Sequence, residues 1–239
     1  MLTVAIHQPN FLPWLGFFDK IARADTFVLL DSVQFPKKGG TWINRVRVLV
    51  NGSPTWLTVP VDRSYHGTRT IREMRINDDD GRWRDTALKT LRSAYGRAPF
   101  FASVHAELEP LLRDPTDDLA AYNERAIRRL CDLLGLGTSL VRASELDGRG
   151  AATDLLVSLV RAAGGDAYLA GGGAEGYQED EKFAANGLEL IEQGFEPPPY
   201  DQGGGDHVAG LSVVDALMHV GFEGTRGLLD RAQPASSSR

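Results

Sequence analysis

The chain opens with an unbroken apolar run, Val4-Ala5-Ile6, that leads out of Thr3 and stops at His7-Gln8. Such a run predicts a strand buried on both faces of a parallel sheet. Phe17, Phe18 and Ile21 recur at helical spacing in a short helix over 17–24, and Thr26 to Leu30 repeats the strand pattern up to Asp31. Arg45 to Val50 and Thr55 to Val61 are strand-like runs joined by Asn51-Gly52-Ser53-Pro54, a hairpin signal. Thr70 to Ile76 alternates as a third antiparallel strand would. Helical spacing takes over from 79 to 134, where Leu119, Tyr122, Ala126, Leu130 and Leu133 fall at three- and four-residue steps. Asp114-Pro115-Thr116-Asp117 supplies a helix start there and Gly135 a stop. Strands Ser139–Arg142, Ala167–Ala170 and Leu188–Ile191 then alternate with helices Thr153–Ala163 and Gln178–Ala185.

Strand and helix alternate at both ends of the chain, which predicts a single α/β domain over 1–230 with a mostly parallel, Rossmann-like sheet. A β-hairpin or side-sheet insertion is expected over 44–76, a helical segment over 79–134, and a disordered polar tail over 231–239.

Composition narrows the function classes. With 42% hydrophobic and 24% charged residues in 239, the chain reads as globular. A formal net charge of −6 argues against nucleic acid as a partner. Positive charge gathers locally in Lys37, Lys38, Arg45 and Arg47 and then in Arg63, Arg69, Arg72, Arg75, Arg82 and Arg84, diluted by Glu73, Asp78, Asp79 and Asp80, a pattern that suits an anionic small molecule better than a polymer. Cys131, the single cysteine, falls in a helical pattern as a core residue and excludes an intrachain disulfide or a cysteine-cluster zinc site. No apolar run reaches the roughly 18 residues of a membrane span. Met1-Leu2-Thr3 carries no basic leader pattern, so the expectation is a cytoplasmic protein without membrane insertion. Oligomeric state is not encoded legibly.

Polar residues at predicted strand ends are the candidates for chemistry, because open α/β sheets bind ligands there. After the first strand come His7, Gln8, Asn10 and Trp14, in a loop fixed by Pro9 and Pro13 and relaxed at Gly16. After the second come Asp31, Gln34, Lys38, Trp42, Asn44 and Arg45, which combine an acid, two amides and two bases. The third is Gly171-Gly172-Gly173-Ala174-Glu175-Gly176, followed by Tyr177; it matches G-x-G-x-x-G, with Glu192 about twenty residues on. Each has a plainer reading: an ordinary βα connection with a satisfied histidine, a solvated loop, and a strand-to-helix turn. The glycine run lacks the Lys-Ser or Lys-Thr ending of a P-loop, no serine sits in a G-x-S-x-G elbow, and His7, His66, His105, His207 and His219 show no H-E-x-x-H spacing. No preformed zinc site is expected.

Read in order, Ile6-His7-Gln8-Pro9, Leu12-Pro13-Trp14-Leu15-Gly16, Asp31-Ser32-Val33-Gln34-Phe35, Asn44-Arg45 and Trp56-Leu57-Thr58-Val59-Pro60-Val61 resemble the WbqC-like family. Ser144-Glu145-Leu146, Thr153-Asp154-Leu155-Leu156, Asp166 to Gly171, Tyr177 and Leu211-Ser212-Val213-Val214-Asp215 resemble its later blocks, so the likeness runs from about residue 3 to 222. The usual Ser-Gly turn reads Ala170-Gly171 here, and the usual Tyr-Leu reads Tyr177-Gln178. The resemblance implies a bacterial biosynthetic protein acting on a small activated metabolite, a surface-polysaccharide (O-antigen) sugar or a natural-product precursor. The opening strand, loop, helix and second strand also look like the start of the HxGH nucleotidyltransferases, a HUP-type fold, but Trp14 and Phe17 stand where the two histidines would be.

These readings converge on acyl or adenylyl group transfer, by a transferase or an ATP-dependent ligase, with ATP or acyl-CoA as the cofactors considered. His7 is expected as general base or phosphate ligand and Asp31 as hydroxyl or metal contact. Gln8, Asn10, Trp14, Gln34, Lys38, Asn44 and Arg45 are expected to bind substrate, and Gly171, Gly172 and Tyr177 to bind cofactor. A non-catalytic protein that binds a nucleotide-linked ligand is the alternative, and an NAD(P)-dependent oxidoreductase using the glycine run is a more distant one.

Overall fold

The computed structural model describes residues 1–78, 81–172 and 179–232. Its strands are β1 (Thr3–His7), β2 (Thr26–Leu29), β3 (Arg45–Val50), β4 (Ser53–Thr58), β5 (Ser139–Arg142), β6 (Ala167–Ala170) and β7 (Glu189–Glu192). The helices are α1 (Leu15–Ala22), α2 (Trp83–Tyr95), α3 (Phe101–Leu112), α4 (Leu119–Leu133), α5 (Ala152–Ala162), α6 (Glu181–Ala185) and α7 (Val213–Ala232).

Five strands pair in parallel in the order β5-β2-β1-β6-β7. The chain therefore winds outward from β1 through β2 to β5, crosses back, and winds the other way through β6 and β7. This is the Rossmann-like order, and the reversal falls between β1 and β6. Alternate residues face opposite layers, as the pleat requires. Val4, Ile6, Val28 and Tyr168 pack with Val157, Val160 and Phe183 on the α5–α6 side. Ala5, Phe27, Leu29 and Leu169 join the larger core containing Phe17, Ile21, Ile127 and Leu217 on the other. Each of the Val, Ile, Leu and Phe side chains, fully buried, contributes about 1.5–3 kcal/mol.

The hairpin β3–β4 forms its own antiparallel sheet, packed against α2. Its turn is Asn51-Gly52, both with positive φ (50° and 74°), the conformation that tight hairpins favour. The segment expected to add a third strand instead makes a short 3-10 turn, Ile71–Glu73. The Glu73 carboxylate accepts hydrogen bonds from the Thr70 amide and hydroxyl, each at 2.7 Å, and this local capping outcompetes the ladder. The segment 79–134 divides into α2, α3 and α4; Asp118 caps the last by accepting from the Ala121 amide at 2.9 Å. Helix α7 has no counterpart among the elements expected from the sequence. It kinks at Gly221 (φ 70°, ψ −177°), where an added Cβ would sit 2.8 Å from the Phe100 ring. The tail expected from 231 lies, from 233 on, outside the described residues.

Candidate functional site

The loop after β1 is built as a rigid shelf. Asn123 on α4, fully buried, donates from Nδ2 to the carbonyl oxygens of Pro9 (2.9 Å) and Ile43 (2.7 Å), so one amide ties this loop to the segment carrying Trp42. The Phe11 amide donates to the Trp42 carbonyl at 3.0 Å, and the Ser212 hydroxyl to the Leu12 carbonyl at 2.7 Å. Leu12 is held at φ 38°, a left-handed conformation that a leucine adopts only when its surroundings impose it. Trp14 then caps α1 and packs edge-on against Phe195, with ring centroids 5.5 Å apart. Gly16 makes room: a Cβ there would lie 2.3 Å from the Trp14 indole.

Beyond this shelf lies a cavity of about 390 Å³ where β1 and β6 part. That volume suits a small ligand, and the position is the one where open parallel sheets bind theirs. His7, Asn10 and Trp14 line it from the opening loop, Gly16, Phe17 and Lys20 from α1, and Gly171 and Gly172 from the turn after β6. Trp42, Arg47, Gln193 and Gly210 complete the wall.

The His7 ring stands edge-on to Phe17 at 5.1 Å. Its Nδ1 lies 2.9 Å from the Gln8 carbonyl oxygen. Because a carbonyl only accepts, that contact assigns the proton to Nδ1 and leaves Nε2 with its lone pair. Burial and the nearby Lys20 charge lower the His7 pKa to about 4, with the Gln8 hydrogen bond opposing, so the ring is neutral at pH 7. Lys20 is 3% exposed, and burial lowers its ammonium to about 7. Its Nζ donates to the Ile6 carbonyl at 2.9 Å. β1 and β6 last pair at Ala5 and Leu169, so this ammonium takes the place of a ladder N–H on the side where the strands have separated.

Gln193 fixes the far wall. Its Nε2 donates to the Gly16 carbonyl at 2.7 Å and to Asp19 Oδ2 at 2.8 Å. Asp19 is fully buried, and desolvation raises its pKa against the pull of Gln193 and Arg23. Gly171 leaves open the space beside Gln193 Oε1 and Lys20 Nζ, which a Cβ would approach to 3.3 and 3.5 Å.

Among the described residues, no acidic side chain lines the cavity. Elsewhere arginines find carboxylates, as Arg84 does with Asp78, Arg125 with Asp114 and Arg142 with Glu124. Among the described residues Lys20, Arg45 and Arg47 have none. Arg47 makes one long contact, from Nη2 to the Gly210 carbonyl at 3.4 Å, and its buried Nε has no partner. Asn10 Oδ1 is likewise buried and unpartnered. Among the described residues this wall thus carries two cations and orphaned polar atoms with no carboxylate to neutralise them.

The residues singled out from the sequence divide in two. His7, Asn10, Trp14, Gly171 and Gly172 meet at this cavity; Gln8 supplies the carbonyl that orients His7. Asp31 lies elsewhere, with Oδ1 accepting from the Ser144 amide (2.9 Å) and Oδ2 from its hydroxyl (2.6 Å), which ties the end of β2 to the turn after β5. Asn44 is buried and spends its Nδ2 on the Val59 carbonyl at 3.0 Å. Gln34 and Lys38 are exposed. Arg45 lies over the Trp56 ring at 4.1 Å and against Gly40, while Arg47, two residues along the same face of β3, lines the cavity. Tyr177 and residues 173–176 of the glycine run lie outside the described residues. Cys131 is buried in α4, and burial pushes its thiol up to about 12. Lys20, Gln193 and Asn123 were not foreseen. A Lys beside an Asp on a short helix reads as solvent-facing, and the one usable sign was how few polar positions that helix has.

Among the described residues no helix is long and apolar enough to cross a membrane, and no group of three His, Cys, Asp or Glu could hold a metal ion.

The model of the WbqC-like protein family matches residues 8–227 of the chain. The uncharacterized protein Rv1507c of Mycobacterium tuberculosis is 30% identical over 225 residues, which cover 93% of this chain and 96% of the relative. No solved structure matches.

Proposed function

The chain belongs to the WbqC-like protein family, and on that premise we propose that it is a biosynthetic group-transfer enzyme working on an anionic, activated small molecule. The group passed is acyl or adenylyl, and the acceptor is a hydroxyl or amine of a sugar or natural-product precursor. The observation that carries this reading is the neutral His7, its Nε2 free at a cavity whose cations have no carboxylate of their own.

In the step, His7 Nε2 takes the proton of the acceptor O–H or N–H as that atom bonds to the carbonyl carbon or the α-phosphorus. The thiolate or pyrophosphate departs with the electron pair of the broken bond. Lys20 and Arg47 stabilise the charge that develops, and Lys20, held near neutrality, can return a proton to the leaving group. A pKa of about 4 makes His7 a weak base in the free protein. An anion beside the ring favours the imidazolium, so its basicity rises as the ligand binds.

Thermal-shift titration with ATP, acyl-CoA and nucleotide sugars, followed by mass spectrometry with amine and hydroxyl acceptors, tests the reading. One of these donors is expected to raise Tm and to be turned over, and His7→Ala to keep the shift while losing about 10²–10⁴-fold in rate. Unchanged turnover in His7→Ala, or no shift with any donor, overturns it. A ligand-binding protein without turnover is the second reading, favoured by Trp14 and Phe17 at the positions of the transferase histidines; saturable binding with no product would establish it.

A further inference from the structure

Trp42 and Trp56 are two of the few large hydrophobic side chains left exposed, at 40% and 43%. They pack edge to face, with centroids 5.4 Å apart and planes at 62°. Trp42 lines the cavity, and Trp56, on β4 directly across from Arg47, extends the aromatic surface outward from its rim. Arg45 covers one face of Trp56 at 4.1 Å and Arg47 stands 5.8 and 6.0 Å from the two rings. The close fit of both arginines depends on residues without side chains: a Cβ on Gly40 would lie 2.3 Å from the Arg45 guanidinium, and one on Gly210 would lie 2.9 Å from that of Arg47. Both Nε atoms are buried and unpartnered. Surface tryptophans over arginines that lack carboxylates offer two things together, a flat π face and unneutralised positive charge.

We infer that the Trp42–Trp56 pair and the adjoining cavity form a site for a nucleoside diphosphate group, with the base stacked on the indoles and the phosphates between Arg47 and Lys20. That group is common to ATP, coenzyme A and nucleotide sugars. The hairpin thereby acts as the base-reading arm of the sheet: β3 carries the phosphate ligand Arg47 and β4 the stacking residue Trp56. Base stacking on aromatic side chains tolerates different bases, so the platform selects for the presence of a base more than for its identity. The inference rests on the reading of the cavity as an anion site, and it concerns equilibrium binding, which is measured without turnover.

The test titrates the full chain with ADP, UDP, inorganic pyrophosphate and adenosine, read by calorimetry and by quenching of tryptophan fluorescence. ADP and UDP are expected to bind roughly tenfold or more tighter than pyrophosphate and to quench. Trp42→Ala is expected to erase that advantage and leave pyrophosphate affinity within about twofold, with Trp42→Phe restoring part of it; Arg47→Ala should weaken ADP and pyrophosphate alike. CoA against ADP-ribose then separates the coenzyme from other nucleotide donors. Pyrophosphate binding as tightly as ADP, an advantage that survives Trp42→Ala and Trp56→Ala together, or no binding of either nucleotide overturns the inference. Loss of turnover in His7→Ala with ADP binding intact leaves it standing, so the two proposals fail separately.

Discussion

Two polar clusters flank the opening loop, and they spend their hydrogen bonds differently. At the start of α7, Asp215 is fully buried: Oδ1 accepts from the Tyr95 hydroxyl at 3.0 Å, and Oδ2 from the Tyr200 hydroxyl at 2.7 Å and the Gln202 amide at 3.1 Å. Tyr95 in turn accepts from the Leu49 amide at 3.0 Å, and burial with the nearby Asp215 raises both tyrosines well above their usual range. The cluster knits α2, β3, α7 and the strap before it into one body. In the cavity cluster Lys20 is buried and His7 and Arg47 are half-buried, yet among the described residues Nε2 of His7 and Nε of Arg47 have no hydrogen-bond partner. Satisfied polar groups hold a fold together, whereas unsatisfied ones at a cavity wall cost stability and are retained for what enters.

Substitution should separate the two. Asp215→Ala strands the Tyr95 and Tyr200 hydroxyls at once and is expected to cost about 3–5 kcal/mol in urea unfolding, the largest loss of any single change considered. If the unfolding midpoint barely moves, the cluster is not the fastening described. Lys20→Met should leave the fold intact and alter its pH response. In the wild type the folded Lys20 releases its proton near pH 7 while the unfolded chain keeps it to 10.5, so stability should rise across that window. The variant should lose this rise in thermal melts and keep an acid-side fall below pH 6.5, where the unfolded chain protonates His7 first; with the Lys20 charge gone the His7 pKa moves up from about 4, so that fall is shallower than in the wild type. A slope unchanged in Lys20→Met would place the buried charge elsewhere. Smallest is Ser144→Ala, which removes the hydroxyl bond to Asp31 and should cost about 1 kcal/mol without weakening the binding of any anionic ligand. Weakened binding would bring Asp31 into the site.

Much of the framework was legible because parallel strands are short apolar runs. β1, β5 and β6 coincide with theirs, and the hairpin announced itself through Asn51-Gly52. Helix α7 was hidden by Gly221, Gly224 and Gly227, which lower helix propensity and interrupt any clean period; tertiary packing overrides that preference. Strand-end logic located His7, Asn10, Trp14 and Gly171, since the end of a central strand must face the crevice. It could not distinguish Asp31, equally rare in its position, whose oxygens are consumed by a turn more than a hundred residues away in sequence. Lys20 was obscured for the opposite reason: α1 is buried from Leu15 to Ile21, so its charged pair faces protein rather than solvent. Periodicity reports which face is apolar, and a helix covered on every side has no face to report.

β1 and β6 make their last paired contact at Ala5 and Leu169, and beyond it the sheet is a fork whose prongs lie more than 160 residues apart in the chain. A guest seated there touches the opening loop, the β6 turn and the hairpin together. On the group-transfer proposal such a guest would work as a removable rivet, clamping the opening loop to the hairpin while bound and freeing them as it leaves.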